Sequence, residues 1–422
     1  MRRITAKWPL FGRRRGLLAV LDQMFVGLSN FGVSIALANE LGPKSFGEYT
    51  LIQAYILYST IFQLSFVIAP MLVRVPAESR DRRIRLARSF SALNLTTVLL
   101  AIPLVGLLAT ILGQVNPSLS LAGLELHFAF AAVGYSFQDW LRRALYSLER
   151  PGVVLLLDAL TYGGQLAALL LCNLYSELTV KAALLSLGVP FALISIAFLL
   201  IFGLWPSFHD FRLLLRANLR AGRDLFLAGQ LQWVGSLGTI FWGASQLGLE
   251  AAGAIRAIQS LLGPFNLLLQ VMDNLVPVRG ATLLSEKGDA SLRGYLLRLA
   301  KLASGVAVLA LAGVCLLGPI ALSYVLKPEY SAFSNLLLLQ AIYYVLAVFY
   351  RLQTYYLRVL DKTKIILAAS AAWAFVSMTI VYGTAELWGA GGVLAAVIAG
   401  LTAGGVTMAV FSFRVTRKNL EC

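Results

Sequence analysis

Charge is what this sequence has least of. Only 13% of its 422 residues are Asp, Glu, Lys or Arg, where soluble domains carry about a quarter. So few charges cannot cover the surface of a water-soluble protein of this size, which excludes soluble globular, disordered and fibrous classes. Cysteine is nearly as scarce. Cys172, Cys315 and Cys422 have no zinc-ligand spacing and form no disulfide framework. His127 and His209 stand alone, so neither a His-based metal site nor a Cys/His nucleophilic pair is expected. No cofactor and no metal is expected. The phosphate-binding pattern GxxxxGK[ST] is missing, so nucleotide hydrolysis has no motif to rest on. Long polar segments are missing too, which leaves no room for a soluble domain on either side of a membrane.

What is abundant is apolar sequence. Hydrophobic residues make up 59% of the chain, and the mean hydropathy is +0.78. That average over the whole length requires many membrane spans. Twelve runs are long enough: 16–39, 46–73, 89–112, 122–146, 153–174, 179–204, 223–244, 251–276, 294–322, 331–356, 365–387 and 391–413. They are continuous rather than alternating, which speaks against a transmembrane barrel. The expected fold is an all-α integral membrane protein with about twelve spans. The longer connections, about 74–88, 205–222 and 277–293, are expected as basic cytoplasmic loops.

Basic residues orient the spans. With the N-terminus inside, the outer loops hold only Lys44, Lys181 and Lys327, and Arg256 and Arg351 fall within spans. The other 30 of the 35 Lys and Arg lie at the cytoplasmic side, so both termini are expected there. The net charge of +15 is spread over all the inner loops, which suits anionic lipid headgroups and not nucleic acid. Ala36-Leu37-Ala38 resembles a signal-peptidase site. Asp22-Gln23 and Ser29-Asn30 interrupt the apolar core before it, so cleavage is not expected.

Two faint internal repeats divide the chain. Leu41, Gly42, Gly47 and Gln53 match Leu247, Gly248, Gly253 and Gln259 at an offset of 206, and Leu145, Leu148, Glu149 and Arg150 match Leu357, Leu360, Asp361 and Lys362 at 212. An offset of six spans keeps both halves in the same direction, as in parallel-repeat transporters. The expected division is 1–204 as one six-helix bundle, 205–222 as a cytoplasmic linker and 223–422 as the second bundle with a short basic tail.

Polar residues inside spans are costly and therefore informative. Arg256, Gln259, Asn266, Gln270 and Asp273 fall within a sector of about 100° on a straight helix. That stripe reads as the wall of a water-filled cavity, or as helix–helix hydrogen bonding. Asp22, Asn30 and Ser34 in the first span, Tyr49 and Gln53 in the second, Gln232 in the seventh, and Tyr344, Arg351 and Arg358 in the tenth are further candidates for the same lumen. Arg351 alternatively snorkels to the inner interface. Asp139 precedes Arg142 and Arg143 by one turn, spacing that suits an ion-paired gate or a structural pair. Asp158 is either a proton or cation carrier or a buried interfacial residue.

The runs Leu21-Asp22-Gln23, Ser29-Asn30-Phe31, Leu41-Gly42-Pro43 and Phe46-Gly47-Glu48-Tyr49 resemble the start of Wzx-type polysaccharide flippases, and Lys327-Pro328-Glu329-Tyr330 resembles a late outer turn of that family. The family belongs to the multidrug/oligosaccharidyl-lipid/polysaccharide exporter superfamily. The resemblance implies a MATE-like pair of six-helix bundles with an alternating-access lumen, in a bacterial inner membrane. It implies a lipid diphosphate-linked oligosaccharide as substrate, flipped from inner to outer leaflet for lipopolysaccharide, O-antigen or exopolysaccharide assembly, with membrane lipids and polysaccharide assembly enzymes as partners. It implies no catalytic residue, and the protein is not expected to be an enzyme. The alternatives are an ion-coupled drug or cation antiporter of the same fold, which would use Asp22, Asp158 and Asp273, and a membrane polymerase or glycosyltransferase.

Overall fold

The computed structural model describes residues 13–175, 177–326, 328–360 and 362–420, with some side chains inside helices left undescribed. Among these residues there is no strand, and twelve helices follow one another through short connections. Helices α1 (13–41) and α2 (43–77) meet at Gly42, whose φ of 70° breaks an otherwise continuous run. Then come α3 (Arg80–Val115), α4 (Glu125–Ser147), α5 (Pro151–Tyr175) and α6 (Val180–Ile201). The second half opens with α7 (211–247) and turns at Gly248, φ 96°, into α8 (249–287). Gly288 separates α8 from α9 (289–325). The chain ends with α10 (Leu336–Val359), α11 (363–388), a break at Gly389 and α12 (390–420). Positive φ is nearly free only for glycine, so each of these four breaks needs a single residue. Short π-helical turns interrupt α2 at Leu64–Ile68 and α7 at Val234–Gly238.

Among the described residues, seven stretches are long and apolar enough to cross a membrane. Two of them, Leu21–Pro76 and Thr363–Ser412, contain a glycine break and fold back as two helices each. Helices α4, α7 and α8 fall short of that measure because they carry polar side chains such as Gln138, Arg142, Gln232 and Arg256, which face other helices. The result is an all-α membrane fold of two six-helix bundles.

Two expectations are corrected. The basic segments 74–88, 205–222 and 277–293 are not loops. Helix continues through most of the first and third, and α7 begins at 211. Arg, Leu and Glu are good helix formers in water as well as in lipid, so the hydropathy drop marks where the bilayer ends and not where the helix ends. The second correction concerns the eighth span. It is interrupted at Leu262, ahead of Gly263-Pro264. Proline lacks the amide a continuing helix requires, so the angular sector computed for a straight helix does not run unbroken from Arg256 to Asp273.

The end of the bundle opposite the chain termini, the far end, is closed. There one hydrophobic core is shared by both halves, joining Phe46, Tyr49 and Ile52 of α2 to Ala254, Ile255 and Ile258 of α8. Towards the near end the core splits. Met71, Phe90, Trp140 and Leu157 belong to a cluster built on the first bundle that also takes in Leu214 of α7, and Tyr350, Trp373 and Leu401 to one of the second. The bundles remain in contact there along one side, where Asn218 of α7 donates to the carbonyl of Phe66 exposed by the π turn, at 2.9 Å.

The repeat meets itself at the far end. A Cβ on Gly47 would overlap the carbonyl of Leu249, and a Cβ on Gly253 would overlap the carbonyl of Pro43. Positions 43 and 47 correspond to 249 and 253 at the same offset of 206, so the contact is reciprocal, as across a two-fold axis. Small residues let two membrane helices touch backbone to backbone. The second repeat is also structural. Arg150 N–H bonds the Leu145 carbonyl at 3.0 Å, and Lys362 N–H bonds the Leu357 carbonyl at 2.8 Å. Both are the six-to-one bond of a Schellman helix end.

Gly253→Ala must force the crossing apart. Overpacking of this kind costs about 1–3 kcal/mol, so the apparent melting temperature in detergent is expected to fall. Gly163→Ala, with nothing within 4 Å of the added methyl, is expected to leave it unchanged.

Candidate functional site: a polar cavity and a buried ion cluster

The crossing brings Arg256, one turn past Gly253, against the first bundle. Its guanidinium donates to Gln53 Oε1 of α2 at 3.3 Å. It closes a cavity of about 40 Å³, room for a few water molecules. The other walls belong to the first bundle: Asn30 and Ser34 of α1, Tyr49 and Gln53 of α2, Tyr135 of α4, and Tyr162 and Gln165 of α5. The cavity thus sets neutral hydrogen-bonding groups and aromatic rings around one cation, with Val33, Ile56, Leu57 and Leu187 completing the wall. Such a surface suits an anionic group flanked by hydroxyls.

Below it, in the same bundle, Arg142 bridges two carboxylates that are both completely buried. Its terminal nitrogen lies 2.7 Å from Asp22 Oδ2, and its Nε lies 2.6 Å from Asp158 Oδ2. The second contact is poorly aligned for a hydrogen bond and is chiefly ionic. Tyr146 donates to Asp22 at 2.6 Å, and Gln138 donates to Asp158 at 2.6 Å. Two acids around one guanidinium leave one formal negative charge.

The structure therefore brings Arg256, Gln53 and Asn30 together at one cavity. Asp22 is not on that wall but in the ion cluster with Asp158 and Arg142. Asp139 pairs at 3.0 Å with Arg143, one turn away, and not with Arg142. Gln232 donates to Ser370 of its own bundle at 3.1 Å. Gln259 and Tyr344 are half-buried outside the cavity, Tyr344 beside Phe265. Arg351 is half-buried beside Tyr355. The side chains of Asn266, Gln270 and Asp273 lie outside the described residues. No cluster of potential metal ligands occurs among the described residues.

Sequence reasoning singled out Asp139, Arg142, Arg143 and Asp158 on α4 and α5 but not the polar faces they belong to. Tyr135, Gln138, Arg142 and Tyr146 are spaced by three, four and four residues, and Asp158, Thr161, Tyr162 and Gln165 by three, one and three. Both are one-face helical patterns, and together they would have located the cluster and half the cavity.

No family model matches the sequence, and no curated protein matches it. Solved structures do. An inward-facing multidrug resistance MATE family transporter of the MOP superfamily superposes with a TM-score of 0.70 at 15% identity, covering 95% of this chain and 98% of that one. The chain has the MATE transporter fold. The lipid II flippase MurJ, in an inward closed conformation, gives 0.65 at 12% identity over 94% of this chain and 87% of that one. An outward-facing MATE family structure gives only 0.55 at 14% identity, over 96% and 98%.

Removing Arg142 alone would leave two buried carboxylates without a counter-charge. Arg142→Gln is expected to cost about 3–5 kcal/mol and to lower abundance and melting temperature sharply. Combining it with Asp22→Asn and Asp158→Asn is expected to restore much of the loss. Equal stability of the single and triple variants would show that the cluster is not ionised in the folded protein.

Proposed function

We propose that this protein is an alternating-access transporter of the inner membrane. Its cargo is a lipid diphosphate-linked oligosaccharide, moved from the inner to the outer leaflet for surface polysaccharide assembly. The observation that carries the reading is Arg256, a cation of one bundle set in a polar, aromatic cavity of the other. Moving a diphosphate and sugars through hydrocarbon requires a hydrated path that spares their desolvation. Guanidinium matches phosphate geometry, and amides and tyrosines match sugar hydroxyls and faces. Arg351 and Arg358 extend the basic face of α10 towards the near end, which the distribution of Lys and Arg makes cytoplasmic. With no nucleotide-binding motif, an ion gradient, the membrane potential or the gradient of the lipid itself drives the cycle. The fold likeness to a lipid flippase and to drug transporters supports transport in general. The sequence resemblance supports the oligosaccharide cargo.

A cation antiporter of the same fold is the second reading, favoured by the two buried carboxylates that share one guanidinium in the Asp22–Arg142–Asp158 cluster. The two separate by experiment. In proteoliposomes carrying a fluorescent lipid diphosphate-linked sugar, Arg256→Gln is expected to slow flipping at least about ten-fold, as the loss of a charged hydrogen bond implies. Arg256→Lys, which keeps the charge without the fork, should retain part of the activity. Normal flipping by folded Arg256→Gln would overturn the role of Arg256. Proton-coupled efflux of a cationic dye that is lost in Asp22→Asn would favour the antiporter.

A further inference from the structure

The far-end closure is held by more than the glycine crossing. Asn116, in the turn after α3, donates from Nδ2 to the carbonyl of Ser245 in the last turn of α7, at 3.3 Å. Ser118 sits beside it, its hydroxyl 2.5 Å from Asn116 Oδ1 and 3.3 Å from the same carbonyl. On the other side, the buried Tyr330, in the turn after α9, donates its hydroxyl to the carbonyl of Ala38 in the last turn of α1, at 3.1 Å. The neighbouring Asn39 donates to the carbonyl of Val325 at the end of α9, at 2.9 Å.

The two sides are arranged alike. In each, the turn after the third helix of one bundle grips the last turn of the first helix of the other. Asn39 and Ser245 are themselves related by the offset of 206. Three of the bonds use carbonyls from the last turn of a helix, Ser245, Ala38 and Val325, where intrahelical partners run out. These carbonyls need a donor while the far end is dry, and water can replace that donor once it opens. Such bonds hold a closed state without making it irreversible, because each is worth little net against water. Burial beside Glu329 pushes the Tyr330 phenol above its usual range, so the hydroxyl stays a donor at any physiological pH. The N-half turn is fixed in place by Tyr55 of α2, which donates to the Leu119 carbonyl at 2.9 Å.

We infer that the turns after α3 and α9 form a two-sided latch that keeps the far gate shut and sets how often it opens, whatever the cargo. The latch concerns the closed state alone, so its failure and the failure of the flippase reading are separable.

The test uses the full-length purified protein in nanodiscs with its three cysteines replaced by serine. Spin labels are attached through Ala122→Cys and Glu250→Cys, exposed positions on opposite bundles at the far end. Distances are read by double electron–electron resonance. The parent is expected to give one dominant short distance. Tyr330→Phe and Asn116→Ala should each raise the long-distance, open population about five-fold, and together multiply. Thr110→Ala, which removes only a hydroxyl bonded to its own helix, should change nothing. An unchanged distribution in the double variant overturns the latch, and so does an equal shift from Thr110→Ala. If Asn116→Ala fails to fold, Tyr330→Phe, which deletes one oxygen, decides alone.

Discussion

The backbone contact between Gly47 and Gly253 is the constraint on which the rest of the far end depends. No side chain separates the two helices there. That single approach lets the apolar side chains of both bundles close into one core. It also fixes the register of α8 against α2. Counted from the crossing, Arg256 is three residues on and Gln53 six, which sets the guanidinium opposite the amide. The position of the one cation in the cavity is therefore a consequence of two hydrogen atoms where other residues would carry a methyl.

Arg142 and Arg256, both half-buried, are held in opposite ways. Arg142 lies among helices of one bundle between two carboxylates, with Tyr146 donating to Asp22 Oδ2 and Gln138 to Asp158 Oδ1. Removing one partner from such a set is expensive. Arg256 lies between bundles and has a neutral amide and a small cavity beside it. A charge held by a neutral amide is available to an incoming anion, whereas a charge held by carboxylates is not. The distinction follows from partner chemistry, and it assigns different work to two residues of the same type.

Much of this was legible beforehand. The low charge and the long apolar runs fix an all-α membrane protein, and the Leu-Gly repeat at 41–42 and 247–248 marks the two far-end turns that the structure contains. Gly47, Gly253, Gln53 and Arg256 were all in view because rare polar or small residues stand out in apolar sequence. Three things were hidden for physical reasons. Helix ends were hidden because hydropathy reports the bilayer, and helices such as α3 and α7 run beyond it. The cluster of Asp22, Arg142 and Asp158 was hidden because its members come from three helices 120 and 16 residues apart, and local spacing favours the nearer partner Asp139. The far-end bonds of Asn116 and Tyr330 were hidden because their acceptors are backbone carbonyls, which carry no sequence signature.

The central claim is that an anionic lipid-linked substrate passes between the bundles and meets Arg256. A structure determined with a lipid diphosphate-linked oligosaccharide bound tests it most directly. Diphosphate density within hydrogen-bonding distance of the Arg256 guanidinium, with sugar against the tyrosines of the cavity wall, is the predicted result. Density on the lipid-facing surface, or beside Asp22 and Asp158 with Arg256 still bonded to Gln53, would contradict it.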